Sequence, residues 1–138
     1  MELEDLGEQL YNLLAQVLNR PENRAFFFFF RGEYGVLWYL LTKKEAVSAG
    51  ELKEKLHVVP GRMTDILTAL EKKGLIIRQK NKTDKRVVDV VLTKEGEKEA
   101  ARRRKEIHEE YRGLFEILGY DDAKELIRLL KILLTYKK

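Results

Sequence analysis

Hydrophobic residues recur every three or four positions over much of the chain, and this spacing predicts α-helices. The pattern is clearest from about residue 60 to 73, where one face is apolar and the opposite face is polar. Pro60 suits the first helical turn, and Gly74 suits a left-handed stop after the last turn. The apolar positions of this predicted helix are Met63, Ile66, Leu67 and Leu70.

Two runs rich in β-branched residues follow this helix. They cover residues 75–80 and 86–92 and flank a polar loop at 81–85. Such a pattern predicts a β-hairpin with a charged tip. Thr93 then lies where its side chain can cap a further helix. Helix, hairpin and capped helix start, in this order, predict a winged helix-turn-helix.

Helical periodicity also extends to both sides of this segment. An amphipathic helix is predicted to end near Arg20, a second to run from Tyr34 to Leu41, and a short third over 49–56, with Ser48 as its cap. Beyond Thr93 we predict a long charged helix to about residue 118, a break at 119–121 and a last helix over about 122–136. The predicted fold class is mainly α with a small β-hairpin wing.

Three short motifs in the helix-hairpin segment resemble those of the MarR family of bacterial transcription regulators. They are Leu-Glu-Lys-Lys-Gly-Leu at 70–75, Asp-x-Arg at 84–86 and Leu-Thr-x-x-Gly at 92–96. The resemblance extends over about residues 32–96. It implies a sequence-specific DNA-binding regulator, a repressor rather than an enzyme, that forms a homodimer and responds to a small-molecule effector.

The resemblance also implies a domain organisation. We expect one MarR-like domain over 1–138, with a winged helix-turn-helix lobe at about 32–97 and dimerisation helices at about 1–31 and 98–138. The two ends carry more apolar residues than one helical stripe needs, which favours a homodimer over a monomer with a thick core. A symmetric dimer places its recognition helices about 34–36 Å apart, and therefore reads a pseudo-palindrome in double-stranded DNA.

The polar face of the helix from residue 60 is predicted to read bases in the major groove. The planar guanidinium of Arg62 suits a guanine edge, and Asp65 suits a cytosine amine or the orientation of Arg62. Thr64 and Thr68 are expected at a phosphate or a thymine methyl, with the alternative that Thr64 faces the short preceding helix. The predicted contacts of this helix are Pro60, Gly61, Arg62, Thr64, Asp65 and Thr68.

Seven basic residues and one acidic residue lie between Lys72 and Arg86. A solvated hairpin is the simpler explanation for such a run, but its place in the helix-wing order favours a polyanionic partner. The predicted phosphate contacts are Lys80, Lys82, Lys85 and Arg86. By resemblance Arg86 approaches the minor groove and Asp84 restrains its guanidinium in a bidentate pair. Alternatively, Asp84 only closes the hairpin turn.

Three residues depart from the family pattern. Val59 replaces a hydroxyl residue that would cap the recognition helix, Gly61 loosens the first turn, and Asp65 puts negative charge on the reading face. They leave open a second function, that of a winged-helix module which binds protein or RNA without specific DNA binding.

Five consecutive phenylalanines, at 26–30, cannot share one helical stripe or one strand face. One explanation is aromatic packing between the first two helices and the dimer partner. The other is an effector pocket, lined by Phe27, Phe30, Tyr34 and Trp38, for a small aromatic molecule. The resemblance supports that location, between the dimerisation helices and the DNA-binding lobe.

The absence of cysteine excludes disulfides, thiolate metal sites and thiol-based oxidant sensing. We expect no cofactor and no metal site, because His57 and His108 stand far apart and His108 lies on a charged helix. An acidic start and the lack of an apolar run near ~20 residues predict no membrane contact and a cytoplasmic protein. No nucleophile, base and orienting group cluster as an enzyme would need.

Overall fold

The computed structural model describes residues 2–24 and 32–137. Within these ranges the chain forms six α-helices and three short strands. The helices are α1 (Leu3–Asn19), α2 (Glu33–Lys43), α3 (Ala49–Lys55), α4 (Pro60–Lys72), α5 (Lys94–Leu118) and α6 (Tyr120–Leu133). The strands are β1 (Val47–Ser48), β2 (Ile76–Lys80) and β3 (Val88–Leu92). The predicted fold class, mainly helical with a small β wing, is confirmed.

The three strands form one antiparallel sheet in the order β1-β3-β2. The predicted hairpin is β2 and β3, paired from Ile76 opposite Leu92 to Lys80 opposite Val88. Strand β1 adds Val47 opposite Val90 on the other side of β3. The sequence did not predict β1, because two residues cannot show an alternating pattern.

Residue contacts divide the chain into two compact units, Met1–Arg104 and Lys105–Lys138. The hydrophobic core of the first unit lies between α2, α3, α4 and the sheet, and the start of α5 contributes one residue. Its buried members are Val36, Leu37, Leu40, Val47, Leu52, Met63, Ile66, Leu67, Leu70, Leu75, Ile76, Val90 and Ala100. The four apolar positions predicted for the recognition helix are all among them.

Three predicted element boundaries were wrong, the start and the end of the last helix and the start of the second hairpin strand. The break before the last helix is confined to Gly119, whose φ is +79°, and α6 begins at Tyr120 and ends at Leu133. One residue with a left-handed backbone is sufficient to end one helix and start the next. The second hairpin strand begins at Val88, because Arg86 belongs to the turn and the Val87 N–H donates to the Asp84 carbonyl.

The predicted helix caps are present. Ser48 Oγ accepts a hydrogen bond from Glu51 N over 3.0 Å, and Thr93 Oγ1 accepts one from Gly96 N over 3.0 Å. The Glu51 carboxylate accepts from Tyr39 Oη over 2.5 Å and so links α3 to α2. Val59 provides no side-chain cap for α4, as predicted.

The end of α4 is a Schellman motif, which explains the Leu-Glu-Lys-Lys-Gly-Leu sequence. Gly74 adopts a left-handed φ of +74°. Its N–H donates to the Glu71 carbonyl over 2.9 Å, and the Leu75 N–H donates to the Leu70 carbonyl over 3.0 Å. Leu70 and Leu75 are both buried. The motif therefore directs the chain from α4 straight into the hairpin.

The Leu-Thr-x-x-Gly sequence is explained by a close approach between two backbones. A Cβ added at Gly96 would lie 2.1 Å from the Leu75 carbonyl oxygen and 2.6 Å from Leu92 Cδ1. That same carbonyl accepts a hydrogen bond from Thr93 N over 3.1 Å. Only glycine at 96 allows the first turn of α5 to lie against the base of the hairpin.

The terminal helices leave their apolar faces uncovered within the described chain. No residue of α1 is buried, and its apolar side chains are about half or more exposed. In α6 Ala123 is buried, but the seven leucine and isoleucine side chains from Leu126 to Leu134 are 39–83% exposed. These exposed side chains are Leu3, Leu6, Leu10, Leu13, Leu14, Val17 and Leu18 in the first helix, and Leu126, Ile127, Leu129, Leu130, Ile132, Leu133 and Leu134 in the last segment. Among the described residues, no helix combines the length and the hydropathy that crossing a membrane requires.

We predict that Gly96→Ala destabilises the protein by about 3 kcal/mol, because the added methyl group meets a backbone carbonyl that cannot move without disturbing the hairpin. The control is Gly113→Ala in the same helix, where an added Cβ meets nothing within 4 Å. There alanine is expected to be neutral or stabilising by up to about 1 kcal/mol. Urea unfolding of both variants measures the difference, and equal midpoints would refute the close approach.

Candidate nucleic-acid interface

The exposed face of α4 carries most of the predicted base-reading residues. Gly61, Arg62, Thr64 and Asp65 are exposed, whereas the apolar stripe of the helix is buried. The Thr64 hydroxyl donates to the Pro60 carbonyl one turn earlier over 3.1 Å. The first two turns of α4 thus present a short polar surface to solvent.

Thr68 has a partner inside the protein. Arg78 on β2 donates from Nη2 to Thr68 Oγ1 over 3.3 Å and to Glu71 Oε1 over 3.0 Å. The Arg78 backbone N–H also donates to Glu71 Oε2 over 3.1 Å. The bonds from the Arg78 guanidinium and backbone hold the pKa of Glu71 below its usual value. Arg78, one of the seven basic residues, therefore fastens the wing strand to α4.

The wing tip presents Arg86 in an ordered but exposed position. Its side chain is 92% exposed, yet Nε and Nη2 donate to the two Asp84 carboxylate oxygens over 3.1 and 3.4 Å. Asp84 Oδ1 also accepts from the Arg86 backbone N–H over 3.0 Å, which closes the turn. These bonds lower the pKa of Asp84. Both alternatives for Asp84, restraint of Arg86 and closure of the turn, are present together.

Asn81 organises the rest of the wing tip and was not among the residues predicted for the site. Its Oδ1 accepts from Thr83 N over 2.9 Å, Thr83 Oγ1 over 2.7 Å and Asp84 N over 3.0 Å. Its Nδ2 donates to Asp89 Oδ2 over 3.0 Å. An asparagine at the first position of a polar turn is a recognised signal for such a network, so the residue was detectable in principle.

The lysines around the wing add positive charge to its surface. Four of them are exposed and make no ion pair with any residue that the structure describes. They are Lys72, Lys80, Lys82 and Lys85. With Arg86 they leave a basic surface around the hairpin, whereas Lys73 and Arg78 are held by acidic side chains.

A network of ion pairs anchors the end of α4 to the starts of α2 and α5. Glu33 accepts from Lys73 Nζ over 2.8 Å and from Arg103 Nη1 over 3.1 Å. The Arg103 side chain, only 8% exposed, also donates from Nε to Glu99 over 3.1 Å. Partial burial disfavours the charged form of Glu33, but the bonds from Lys73 and Arg103 outweigh it, so its pKa is lowered.

Two of the four residues predicted for the effector pocket, Phe27 and Phe30, lie outside the described residues. The other two, Tyr34 and Trp38, stack on α2 with ring centroids 6.3 Å apart and planes 11° apart. Arg104, which the sequence did not indicate, places its guanidinium 4.8 Å from the centre of the Trp38 ring. Among the described residues no three histidine, cysteine or acidic side chains group as metal ligands.

Comparison with known proteins identifies the family. The model of the MarR family matches residues 31–88. FarR, an HTH-type transcriptional regulator from Neisseria gonorrhoeae, is 37% identical over 96 residues, which are 70% of this chain and 63% of FarR. NadR, solved in complex with 4-hydroxyphenylacetate, is 30% identical with a TM-score of 0.55, over 96% of this chain and 83% of NadR. The chain belongs to the MarR family. The resemblance based on the three motifs is therefore confirmed.

The fold of this MarR-family chain recurs in solved structures. A probable transcriptional regulator from Pseudomonas aeruginosa superposes with a TM-score of 0.77 at 21% identity, covering 93% of this chain and 98% of that one. This likeness shows the winged-helix fold with its terminal helices. The match to FarR spans a little less than two thirds of that protein's length.

We predict that Glu33→Gln lowers the free energy of unfolding at pH 7 by about 1–3 kcal/mol, because Arg103 stays buried after losing a charged partner. The folded-state pKa of Glu33 is lowered, so the wild type has this stabilisation above the ordinary carboxyl pKa and loses it as the pH falls through the lowered value. The difference between the two proteins should therefore shrink as the pH falls below the ordinary carboxyl range.

The matched control for this experiment is Glu95→Gln. Glu95 is 71% exposed and lies 3.6 Å from Lys98, so its loss should change the free energy of unfolding by less than about 0.5 kcal/mol. Denaturant unfolding across the pH range gives both values. A Glu33→Gln deficit that keeps its full size at low pH would contradict the ion-pair explanation.

Proposed function

We propose that this chain is a sequence-specific, DNA-binding transcription repressor that acts as a homodimer on a pseudo-palindromic operator and responds to a small-molecule effector. The observation that carries the proposal is the wing tip, where an exposed guanidinium is held in place before any partner arrives. Exposed lysines, which form no ion pair within the described part of the chain, give the surface around the hairpin a basic character. The exposed polar face of α4 belongs to the same unit, fastened to the wing through Arg78.

The wing supplies affinity in this proposal. The bidentate pair with Asp84 uses one N–H of Nε and one of Nη2, which leaves three of the five guanidinium N–H groups of Arg86 for phosphate or base acceptors. Lys80, Lys82 and Lys85 add phosphate contacts that release counterions from the duplex. These contacts carry no sequence information and are expected on any duplex.

Sequence is read by α4 in this proposal. Arg62 remains our candidate for a guanine edge, with Asp65 at a cytosine amine or next to Arg62. Pro60, Gly61 and Thr64 lie on the same exposed surface, where backbone and hydroxyl groups can contact phosphates. We give Thr68 a different role from the one predicted: its hydroxyl orients Arg78 and so sets the angle between helix and wing.

Val59 and Asp65 favour a second candidate function, a winged-helix module that binds protein or RNA. Val59 leaves the helix start uncapped, and Asp65 is exposed on the reading face. A protein- or RNA-binding winged helix would tolerate both features. It would bind duplex DNA weakly and without sequence preference, which is the difference that the DNA experiment below measures.

Exposed apolar faces on both terminal segments support the homodimer. The exposure of these leucine side chains to water is unfavourable in free energy. Burial of the same apolar surface against a second copy of the chain would remove this unfavourable term. In a dimer the winged lobes at about 32–97 would be carried by the helices at about 1–31 and 98–138. A dimer bound over a promoter prevents polymerase from occupying the same duplex, which is the simplest route to repression.

The effector is proposed to be a small aromatic molecule. NadR was solved with such a molecule, 4-hydroxyphenylacetate. In this chain the stacked rings of Tyr34 and Trp38, with Arg104 over the indole, offer a flat apolar surface beside a positive charge. Phe27 and Phe30 remain part of the proposed pocket on sequence grounds.

The DNA-binding prediction concerns Arg86→Ala. An operator is first selected from random duplexes with the purified protein, and affinities are then measured at several salt concentrations. Wild type is expected to bind in the nanomolar range with a steep dependence on salt. If both wings of a dimer contact phosphate, Arg86→Ala should reduce the log-log salt slope by about 2.

Arg20→Ala is the control for this variant. Arg20 pairs with Glu22 two residues away over 3.1 Å, at 64% exposure, so it matches the Arg86–Asp84 pair but lies outside the wing. Its loss should leave affinity and slope unchanged. Flat, weak binding by wild type would reject the regulator in favour of the second function, and an unchanged Arg86→Ala slope would reject the wing contact.

The dimer prediction concerns mass in solution. Light scattering at micromolar concentration should give twice 16.2 kDa for wild type. Leu10→Lys, on the 58% exposed Leu10 of α1, should shift the protein towards the monomer because it puts a charge into the proposed interface. Ile77→Lys, at the 52% exposed Ile77 on β2, should leave the dimer intact. A wild-type monomer mass would refute the dimer.

A further inference from the structure

The wing tip depends on one amide side chain. Between the paired residues Lys80 and Val88 the chain makes a loop with few backbone bonds of its own. Asn81 N donates to the Val87 carbonyl over 2.9 Å, and Val87 N donates to the Asp84 carbonyl over 3.0 Å. The Asp84 carboxylate accepts from the Arg86 N–H, and the Asn81 side-chain oxygen accepts from the backbone N–H groups of Thr83 and Asp84.

The other end of this amide is attached to the sheet. Asn81 Nδ2 donates to the Asp89 carboxylate over 3.0 Å. Asp89 lies on the central strand, opposite Gln79 of β2 and Ser48 of β1. The loop is therefore tied to the most firmly paired part of the sheet, and Asp84, which holds Arg86, is one of the residues that this tie fixes.

We propose that Asn81 is a positioning residue for DNA binding, one that acts through Asp84 to keep Arg86 in its binding position. The proposal rests on the proposed function, since it assigns a role within the same interface. An ordered tip loses little conformational freedom when DNA binds, whereas a loose tip must be ordered at that moment. Asn81 would contact no DNA atom itself.

The decisive variant exchanges the amide and the carboxylate between positions 81 and 89. Asn81→Ala removes both halves of the tie. Asn81→Asp keeps the acceptor for the loop N–H groups but places a carboxylate against Asp89. Adding Asp89→Asn to Asn81→Asp restores the hydrogen bond with donor and acceptor exchanged and returns the net charge of wild type. A role that depends on this bond predicts that the exchange rescues what Asn81→Asp alone disturbs, because only that change removes the donor.

The first readout is independent of DNA. Trypsin cleaves after Lys82, Lys85 and Arg86, all within the tip, and cleavage requires the segment to open locally. Mass spectrometry of the fragments gives the rate at each site. Asn81→Ala is expected to raise these rates about tenfold, and the double exchange to return them to within about threefold of wild type. Asn23→Ala, which loses the 2.7 Å bond from Nδ2 to the Val17 carbonyl, is the control outside the wing.

The second readout is affinity for the selected operator. Asn81→Ala should weaken binding about tenfold in the wild-type background and less than about threefold when Arg86 is already alanine, because the two residues act in series. The double exchange should bind within about threefold of wild type. Circular dichroism midpoints within a few degrees of wild type show that each variant is folded.

The outcomes separate this proposal from the proposed function. If wild type binds its operator but Asn81→Ala does so equally well, or loses the same factor with and without Arg86, the positioning role is wrong and the regulator stands. If wild type selects no duplex, the proposed function fails and the DNA role of Asn81 fails with it. Unchanged cleavage rates in Asn81→Ala would overturn the ordering of the tip in either case.

Discussion

The wing depends on the junction at its base, where the chain leaves α4 and later enters α5. Thr93 closes it twice, by donating its N–H to the Leu75 carbonyl over 3.1 Å and its hydroxyl to the Gly74 carbonyl over 2.7 Å. The same hydroxyl accepts from Gly96 N and so caps α5. One threonine thus ends the hairpin and begins the helix. Because Gly96 has no side chain, the Leu75 carbonyl can approach the first turn of this helix closely. If this junction opened, the register of β2 and β3 would lose its fixed starting point.

Basic residues in the helix-wing segment have two distinct physical roles. Arg78, Lys73 and the buried Arg103 are held by acidic side chains and join elements together. Arg86 is also paired, but its partner lies two residues away on the same loop, so the pair orders the guanidinium without burying it. Paired cations fix the geometry of the lobe, and exposed cations remain available to a polyanion. The net charge of +4 does not distinguish the two roles, because it counts paired and exposed cations alike.

Features encoded within a few residues could be predicted from the sequence. The apolar stripe of α4, the stop at Gly74, the caps at Ser48 and Thr93 and the hairpin all depend on local spacing. Features that depend on distant partners could not. Strand β1 exists only through its pairing with Val90, and the partner of Thr68 comes from a strand ten residues further on. The restraint of Arg86 by Asp84 could be predicted because they are only two positions apart in the sequence, whereas Trp38 and the Arg104 that stacks on it are 66 positions apart.

The start of α4 shows how the two halves of the interface differ. Val59 gives the first turn no side-chain cap, and Gly61 lowers its helical propensity, which together cost about 1–2 kcal/mol relative to a capped, glycine-free start. Pro60 offsets part of this cost, since it removes one unsatisfied N–H and fixes its own φ near the helical value. The remaining deficit falls on the turn that carries Arg62. The wing, by contrast, is held by Asp84 and Asn81 before binding. A duplex that fits α4 would supply hydrogen-bond acceptors for the unbonded N–H groups of its first turn. Binding of the correct sequence would therefore also stabilise the start of the helix.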